Sequence, residues 1–444
     1  MRIHVLVWLA LPGALAAQDG LSLQDAVRTA LEKHPSVDAG LARIRAAEAR
    51  IEQARAGYKP QLNYTESVAR SNNPVFVFSS LLTQRRFTEQ NFQVGPLNRP
   101  EFLNNFQSLV TVDQLVFDKG GIKAQRAAAE LGRDVAAEDD RGTRMQLIAG
   151  VAKTYHAAVL AEENFKVAQE AVRSAEADVQ RAEAIRAAGM STDADVLSIR
   201  VHLSSMREQE IRRKYEMEVA RAALNEAVGL PLDTPYNPTT PLAPPPDPEE
   251  PERYEEAALR ERPEARQTRL AGGIAERRIE AARADWWPKV GVRAAFEADR
   301  QTFVTRGGTN WLFAGTLRWN LFDGFATKAR VSEAEAALLE ARARERQMDS
   351  ALRLEVRKAR ADRQSARERL SVASAAVEMA EESLRITKNR FEAGLATVTD
   401  LLRNELALHE ARTRRLAAIY ELRMAATGLE LAAGLLNPNS EVLQ

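Results

Sequence analysis

Cysteine is absent from all 444 residues. Disulfide scaffolds, thiolate zinc sites and thiol catalysis are therefore excluded, as is a lipid anchor on an N-terminal lipobox cysteine. An excess of one charge is also missing. Lys+Arg and Asp+Glu both number 62, so no basic face points to a nucleic-acid groove. Past the N-terminal segment no apolar run reaches the roughly 18 residues of a membrane-spanning helix. Phosphate loops and nucleophile elbows are missing too. The five histidines (His4, His34, His156, His202 and His409) lack metalloprotease spacing, and the dispersed methionines form no soft-metal ladder. Neither a cofactor, a metal site nor an enzyme activity is expected.

What is present begins with an export signal. Arg2 supplies a positive start, Val5 to Leu15 is a short apolar run, and Ala14-Leu15-Ala16 fits the small-x-small cleavage rule, with Ala17 as the first mature residue. An exported chain without an apolar helix can enter a membrane only as β-strands.

Length alone suggests two to four domains, but a repeat overrides that expectation. Ser22 and Asp25 mark a helix start, and the helix runs to about Gly57 with a disturbance at His34-Pro35. Tyr58-Lys59-Pro60 stops it. Leu62, Tyr64 and Val68 alternate with polar residues as in a half-buried strand. An irregular segment follows from Ser71 to about Asn105, and a second strand has Phe106, Val110, Val112 and Val116 on one face. After Phe117-Asp118-Lys119-Gly120-Gly121 a proline-free helix runs from Ile122 to about Ala188, roughly 100 Å if straight. Gly189 breaks it, and a return helix runs from Thr192 to about Val228. The stretch Pro231 to Pro251, with Pro244-Pro245-Pro246, reads as a linker.

The second half repeats this order. Pro263 answers Pro35 and Pro288 answers Pro60, both 228 residues on. Val290, Val292, Ala294 and Phe296 form one strand face; Trp311, Phe313, Leu317, Trp319 and Leu321 form the next. From Phe322 the offset becomes 205: Phe117, Asp118, Gly189, Asp195, Leu224 and Gly229 answer Phe322, Asp323, Gly394, Asp400, Leu429 and Gly434. The first repeat therefore carries a longer loop between its strands. The expected organisation is a signal peptide at 1–16, repeat one at 17–229, a linker at 230–252, repeat two at 253–436 and a tail at 437–444.

The long helices are rich in alanine and heptad-spaced. Leu370, Val377, Leu384 and Phe391 recur at steps of seven, as do Phe165, Val172 and Val179. Sustained heptads imply supercoiling against partner helices, which an ordinary coiled coil satisfies equally well. The strands argue further. Their apolar alternation suits a lipid-facing barrel wall, and Tyr58, Trp286 and Trp287 at the strand starts suit an interfacial girdle. Four strands cannot close on themselves in lipid, so insertion requires several copies. Two soluble β-hairpins capping a helical bundle are the other reading.

The duplicated order of strand, Phe-Asp-x-Gly, long helix and Gly-x-x-Thr-x-x-Asp resembles the TolC-like outer-membrane efflux proteins. Arg390-Phe391-Glu392-Ala393-Gly394 with Thr397 and Asp400-Leu401-Leu402 looks like that family's helix-turn-helix tip, and Arg186 to Leu197 is a weaker copy. The resemblance implies a mainly α fold with a transmembrane β portion: a long α-helical barrel and four strands per chain in a trimeric twelve-stranded β-barrel. It also implies a Gram-negative outer-membrane duct reaching into the periplasm, with a periplasmic adaptor and an inner-membrane transporter as partners. Residues 230–252 and the tail fall in the family's equatorial region. Alternatives are the exit channel of a type I protein secretion system and, from another class, a soluble periplasmic coiled-coil structural or adaptor protein.

Several residues carry expectations. Asp195 and Asp400 are candidates for a charged gate, although Thr192-x-x-Asp195 and Thr397-x-x-Asp400 also read as helix caps with acids favoured by the helix dipole. Where the family's best-known pattern has a second acid, this chain has Ser198 and Arg403; a pore-facing Arg403 paired with Asp400 would lock the closed state. Gly189 and Gly394 are expected left-handed caps. On family grounds Met190, Leu395 and the neighbourhood of Thr192 and Thr397 meet the adaptor. Asp118 and Asp323 are read as caps of the long helices, with interfacial ion binding as the other role. Tyr58, Trp286, Trp287, Phe117 and Phe322 mark the membrane interface; Val110, Val112, Trp311, Phe313, Leu317 and Trp319 are assigned to lipid-facing strands. The 72–105 loop either covers the outer mouth or joins copies.

Overall fold

The computed structural model describes residues 20–246, 253–305 and 307–444. The expected signal segment, including Ala14-Leu15-Ala16, and residues 247–252 of the proline-rich stretch lie outside the described residues. In chain order the elements are α1 (Leu23–Lys33), α2 (Pro35–Ala56), β1 (Gln61–Ser71), α3 (Pro74–Thr83), α4 (Val94–Asn98), β2 (Leu103–Phe117), α5 (Gly121–Ala187) and α6 (Asp193–Val228). There follow α7 (Tyr254–Glu261), α8 (Pro263–Ala284), β3 (Lys289–Arg300), β4 (Gly308–Arg318), α9 (Ala326–Glu392) and α10 (Val398–Ala433). The bounds of α5 and α6 reappear in α9 and α10 at the 205-residue offset, and those of α2 in α8 at 228.

Local chemistry explains these boundaries. Ser22 caps α1 by accepting from the Asp25 amide. Pro35 and Pro263 start new helices because proline lacks the donor that would continue the old one. Asp118 accepts from the amides of Gly120 and Ile122 at 3.0 and 2.6 Å, and Asp323 from the Thr327 amide at 2.7 Å. Each carboxylate thus satisfies one of the orphan donors in the first turn of a 67-residue helix.

One compact unit comprises the residues up to Ala42, Glu138–Arg266 and Arg346–Gln444. Its main core gathers Leu23 and Val27 of α1, Val151 and Tyr155 of α5, Leu224 and Val228 of α6, and Leu443 of the tail. The proline-rich stretch is tied into this unit. Tyr236 Oη donates to Arg221 O at 2.9 Å, the Thr240 amide donates to Tyr155 Oη at 2.9 Å, and Arg423 Nε donates to Ala243 O at 2.6 Å. Composition marked this stretch as a linker; these bonds hold 231–246 as an ordered strap. At the ends of α6 and α10, Gly229 and Gly434 adopt φ +81° and +75°. A Cβ there would stand 3.1 Å from His34 Cα and 2.9 Å from Arg262 N, so each return helix stops against its repeat's pre-proline residue.

The second unit, Arg43–Ala137 with Gln267–Glu345, holds an antiparallel sheet in the order β1-β2-β3-β4. The register shifts between Leu115 and Phe117, which leaves Val116 in a bulge. The segment expected to be irregular from Ser71 to Asn105 differs from that expectation. Asn73 caps the amides of Val75 and Phe76, Pro74 supplies a preset first turn, and α3 results. Leu103 to Asn105 already belong to β2.

Candidate functional site

The sheet has two unlike faces. Leu62, Tyr64 and Val68 of β1 stand opposite Val112, Val110 and Phe106 of β2. Val110 and Val112 in turn face Phe296 and Ala294, which face Trp311 and Phe313 of β4. Val290 faces Leu317. These residues form one apolar surface across all four strands, and it is uncovered: Phe313 is 77% exposed. The reverse face carries Gln107 donating to Glu297 at 2.8 Å and the Arg293–Asp113 pair at 2.5 Å. Alternation of this kind demands apolar surroundings on one side and water on the other. The outer edges of β1 and β4 have no strand neighbour among the described residues. Midway along β1 the apolar face is interrupted by Glu66, which is bonded to Tyr64, Ser108 and Arg300.

Aromatic side chains collect where strands meet helices. Tyr58, Trp286, Trp287, Phe117 and Phe322 are all exposed. The Lys119 ammonium lies 4.4 Å from the Trp287 ring centre. Trp319 corrects an expectation. β4 ends at Arg318, so Trp319 lies beyond the strand, where its Nε1 donates to Trp286 O at 3.1 Å. It belongs with the boundary aromatics; Leu321 also lies past the strand.

The longer loop of repeat one folds onto the polar face. Gln84 follows α3 and donates to Asn105 Oδ1 at 2.8 Å, and Asn105 donates to Asp299 Oδ1 at 2.7 Å. Arg85 reaches Thr309 O at 2.9 Å. A Cβ on Gly308 would collide with Thr83 O, so glycine permits the loop's close approach. Phe78, Phe87 and Phe92 pack edge to face within the loop.

At the opposite end of α5 and α9 each chain break has the same construction. Gly189 and Gly394 adopt φ +79° and +72°. The Met190 amide donates to Ile185 O at 3.0 Å and the Leu395 amide to Arg390 O at 2.8 Å, closing Schellman motifs. Thr192 and Asp195 form a reciprocal capping box, as do Thr397 and Asp400. The Thr192 and Thr397 hydroxyls, followed by their amides, hold the Asp195 and Asp400 carboxyls below the usual carboxylate range. Arg403 is exposed, adds to that attraction on Asp400 and makes no ion pair with any described residue. Met190 and Leu395 are exposed at the apices. Beneath them Ala182, Val196 and Ile199 of repeat one pack with Leu384, Phe391, Val398 and Leu401 of repeat two, which joins the two hairpins.

A buried polar cluster above this core had no sequence signal of its own, because isolated charges on long helices read as solvated faces. Lys388 Nζ lies 3.0 Å from Glu405 Oε1 and donates to Ser174 Oγ at 3.0 Å. His202 Nε2 faces Glu405 Oε2 at 3.5 Å, and Arg181 pairs with Asp178 at 2.8 Å. The Asp178 and Glu405 side chains are 1% and 7% exposed. Burial, reinforced by the Glu405 carboxylate, pushes Asp178 up to about 7. Burial opposes ionisation of Glu405 too, but His202, the Asp178 carboxyl and Lys388 hold it well below the usual range. His202 and His409, distant in sequence, line one cavity of about 80 Å³ beside Glu405. Among the described residues no His, Asp and Glu group is arranged to hold a metal ion. The 205-residue offset offered a clue: Lys388 and Glu405 answer Glu183 and Arg200, an exposed pair of reversed charges 2.6 Å apart.

Residues 26–230 and 256–435 match the family described as outer membrane efflux protein. Protein CyaE of Bordetella pertussis is 28% identical over 431 residues, covering 94% of this chain and 84% of that protein. Alkaline protease secretion protein AprF of Pseudomonas aeruginosa is 24% identical over 431 residues, covering 94% and 85%. A crystal structure of a membrane protein from Pseudomonas aeruginosa superposes with a TM-score of 0.78 at 22% identity, covering 95% of this chain and 92% of that one.

Proposed function

This chain belongs to the outer membrane efflux protein family, and from that premise we propose that it is a passive exit duct of the Gram-negative outer membrane. Three copies close their four-stranded sheets into one barrel in the lipid, and their paired helices extend into the periplasm. A periplasmic adaptor and an inner-membrane transporter deliver cargo and supply the energy; the duct carries out no chemistry. The observation that carries this reading is the sheet: a largely apolar face, a polar face and, among the described residues, two unpaired edges in one chain. A bilayer leaves no strand edge open, so this sheet enters lipid only by joining copies of itself. Among the described residues no helix is long and apolar enough to cross a membrane, which leaves the strands to do so.

Within this reading, Val110, Val112, Trp311, Phe313 and Leu317 face lipid. Tyr58, Trp286, Trp287, Trp319, Phe117 and Phe322 lie at the membrane boundary. Met190 and Leu395 meet the adaptor from rigid turns built on Gly189, Thr192, Gly394 and Thr397. Asp195 and Asp400 cap their helices first, and their ionised oxygens, with Arg403, set the charge of the periplasmic mouth. A protein cargo is the second reading, favoured by similarity to the alkaline protease secretion protein AprF. Fractionation and planar-bilayer recording test the duct together. Heat-resistant oligomers in the outer membrane that form pores are expected; a soluble periplasmic monomer refutes the proposal.

A further inference from the structure

Four helices send ionisable groups into the cluster above the tip: Asp178 and Arg181 from α5, His202 from α6, Lys388 from α9 and Glu405 from α10. We propose that Asp178 and Glu405 share one proton and act as a proton-dependent clasp between the two hairpins of each chain, holding the periplasmic mouth narrow while the proton is bound. The clasp rests on the duct reading and adds regulation to it.

The geometry carries the inference. Asp178 Oδ1 accepts from Arg181 at 2.8 Å, whereas the buried Oδ2 has no hydrogen-bond partner, and Lys388 Nζ lies 3.8 Å from it. Lys388 is committed at closer range to Glu405 and Ser174. Arg181 is divided between Asp178 and Glu392, the latter at 3.2 Å. A buried acceptor without a partner is costly, and two adjacent buried carboxylates repel. One proton on Asp178, donated to Glu405, removes both penalties. The groups facing the pair are Arg181 and Ser174 on α5, His202 on α6 and Lys388 on α9. Around the adjoining cavity stand His409 and Arg412 of α10 and Glu170 of α5, with Arg213 and Glu410 acting on His409 from nearby. In the packed state Asp178 retains its proton up to about pH 7, far above the ordinary value of 3.8. Parting the hairpins returns it to water. The packed state therefore binds the proton more tightly, and raising the pH toward 7 favours separation by up to about tenfold per pH unit, then levels off.

The test uses the full-length protein in planar bilayers from about pH 5 to about pH 8, with infrared spectra of the same preparation. Open probability is expected to rise with pH in the wild type and to stay low and flat in Asp178→Asn, which keeps a neutral hydrogen-bonding side chain. Arg200→Ala, in the exposed equivalent pair, retains the wild-type profile. The infrared spectrum is expected to show a carboxylic-acid carbonyl band that fades near neutrality and is missing from Asp178→Asn. If Asp178→Asn yields no heat-resistant oligomer, Glu405→Gln takes its place, with loss of the pH response expected. An Asp178→Asn or Glu405→Gln profile superimposable on the wild type, or no such band, overturns the clasp. A titrating band without pores overturns the duct reading alone.

Discussion

The two hairpins of this chain share their backbone and differ in their charges. Each breaks at a left-handed glycine, each restarts at a Thr-x-x-Asp box, and their helix bounds coincide at one offset. At equivalent heights, however, Glu183–Arg200 lies in solvent whereas Lys388–Glu405 is enclosed by Asp178 and His202. His156 adds to the asymmetry. It is fully buried in α5, whereas Ala361 stands at the equivalent position of α9. Backbone-determining residues answer to local geometry, which both copies share. A charged side chain answers to its neighbours, which differ once one hairpin packs against the other.

The largest expected break in this comparison is Lys388→Ala. Removing the cation from a buried pair costs about 3 kcal/mol, whereas Arg200→Ala, at the surface, changes stability by less than about 1 kcal/mol. Denaturant unfolding of the two variants in detergent checks this, and equal losses would erase the distinction.

His156 comes next. Its ring nitrogens have no hydrogen-bond partner, and burial, with the Arg423 charge adding to it, pushes its pKa down to about 4. The unfolded chain takes up this proton first, at the ordinary value of 6.5. The stabilisation is therefore complete above that pH and fades as the pH falls toward 4, by about 3 kcal/mol in all. His156→Leu is expected to flatten that part of the acid profile; an unchanged slope in thermal melts between those pH values refutes the assignment.

Gly189→Ala and Gly394→Ala should each lose about 1–2 kcal/mol through backbone strain alone, because a Cβ at either site meets nothing within 4 Å. Matching losses by calorimetry sharpen the equivalence of the two breaks. The smallest effect falls on the caps. Thr192→Ala and Thr397→Ala each cost about 1 kcal/mol. Because the Asp195 and Asp400 pKa values are depressed, the caps are at full strength above the ordinary carboxylate pKa and weaken as acid titrates them. Helix content followed against pH would reveal a cap that does not respond.

Wherever local rules decide, the fold was legible in the sequence. Pro35, Pro263, Gly189, Gly394 and the Thr-x-x-Asp boxes determine the helix limits from within a few residues of chain. The apolar alternation of β1 to β4 marked the exposed face because no tertiary neighbour overrides it. The 71–103 segment was legible only in part: Asn73-Pro74 signals a helix start, but Gln84 finding Asn105 and Asp299 depends on sheet register. The Asp178–His202–Lys388–Glu405 cluster was not legible, because its members lie on four helices and each alone resembles a solvated residue. Trp319 was misplaced because alternation continues past the last ladder bond.

The unpaired edges of β1 and β4 also have a kinetic consequence. A lone chain presents two open hydrogen-bonding templates beside an uncovered apolar surface, the features that drive indiscriminate strand addition. The single-chain form is thus a transit species whose lifetime depends on how soon matching copies arrive. Synthesis rate and escort during export therefore govern the yield of assembled protein alongside fold stability, and surplus chains are a hazard to the cell that makes them.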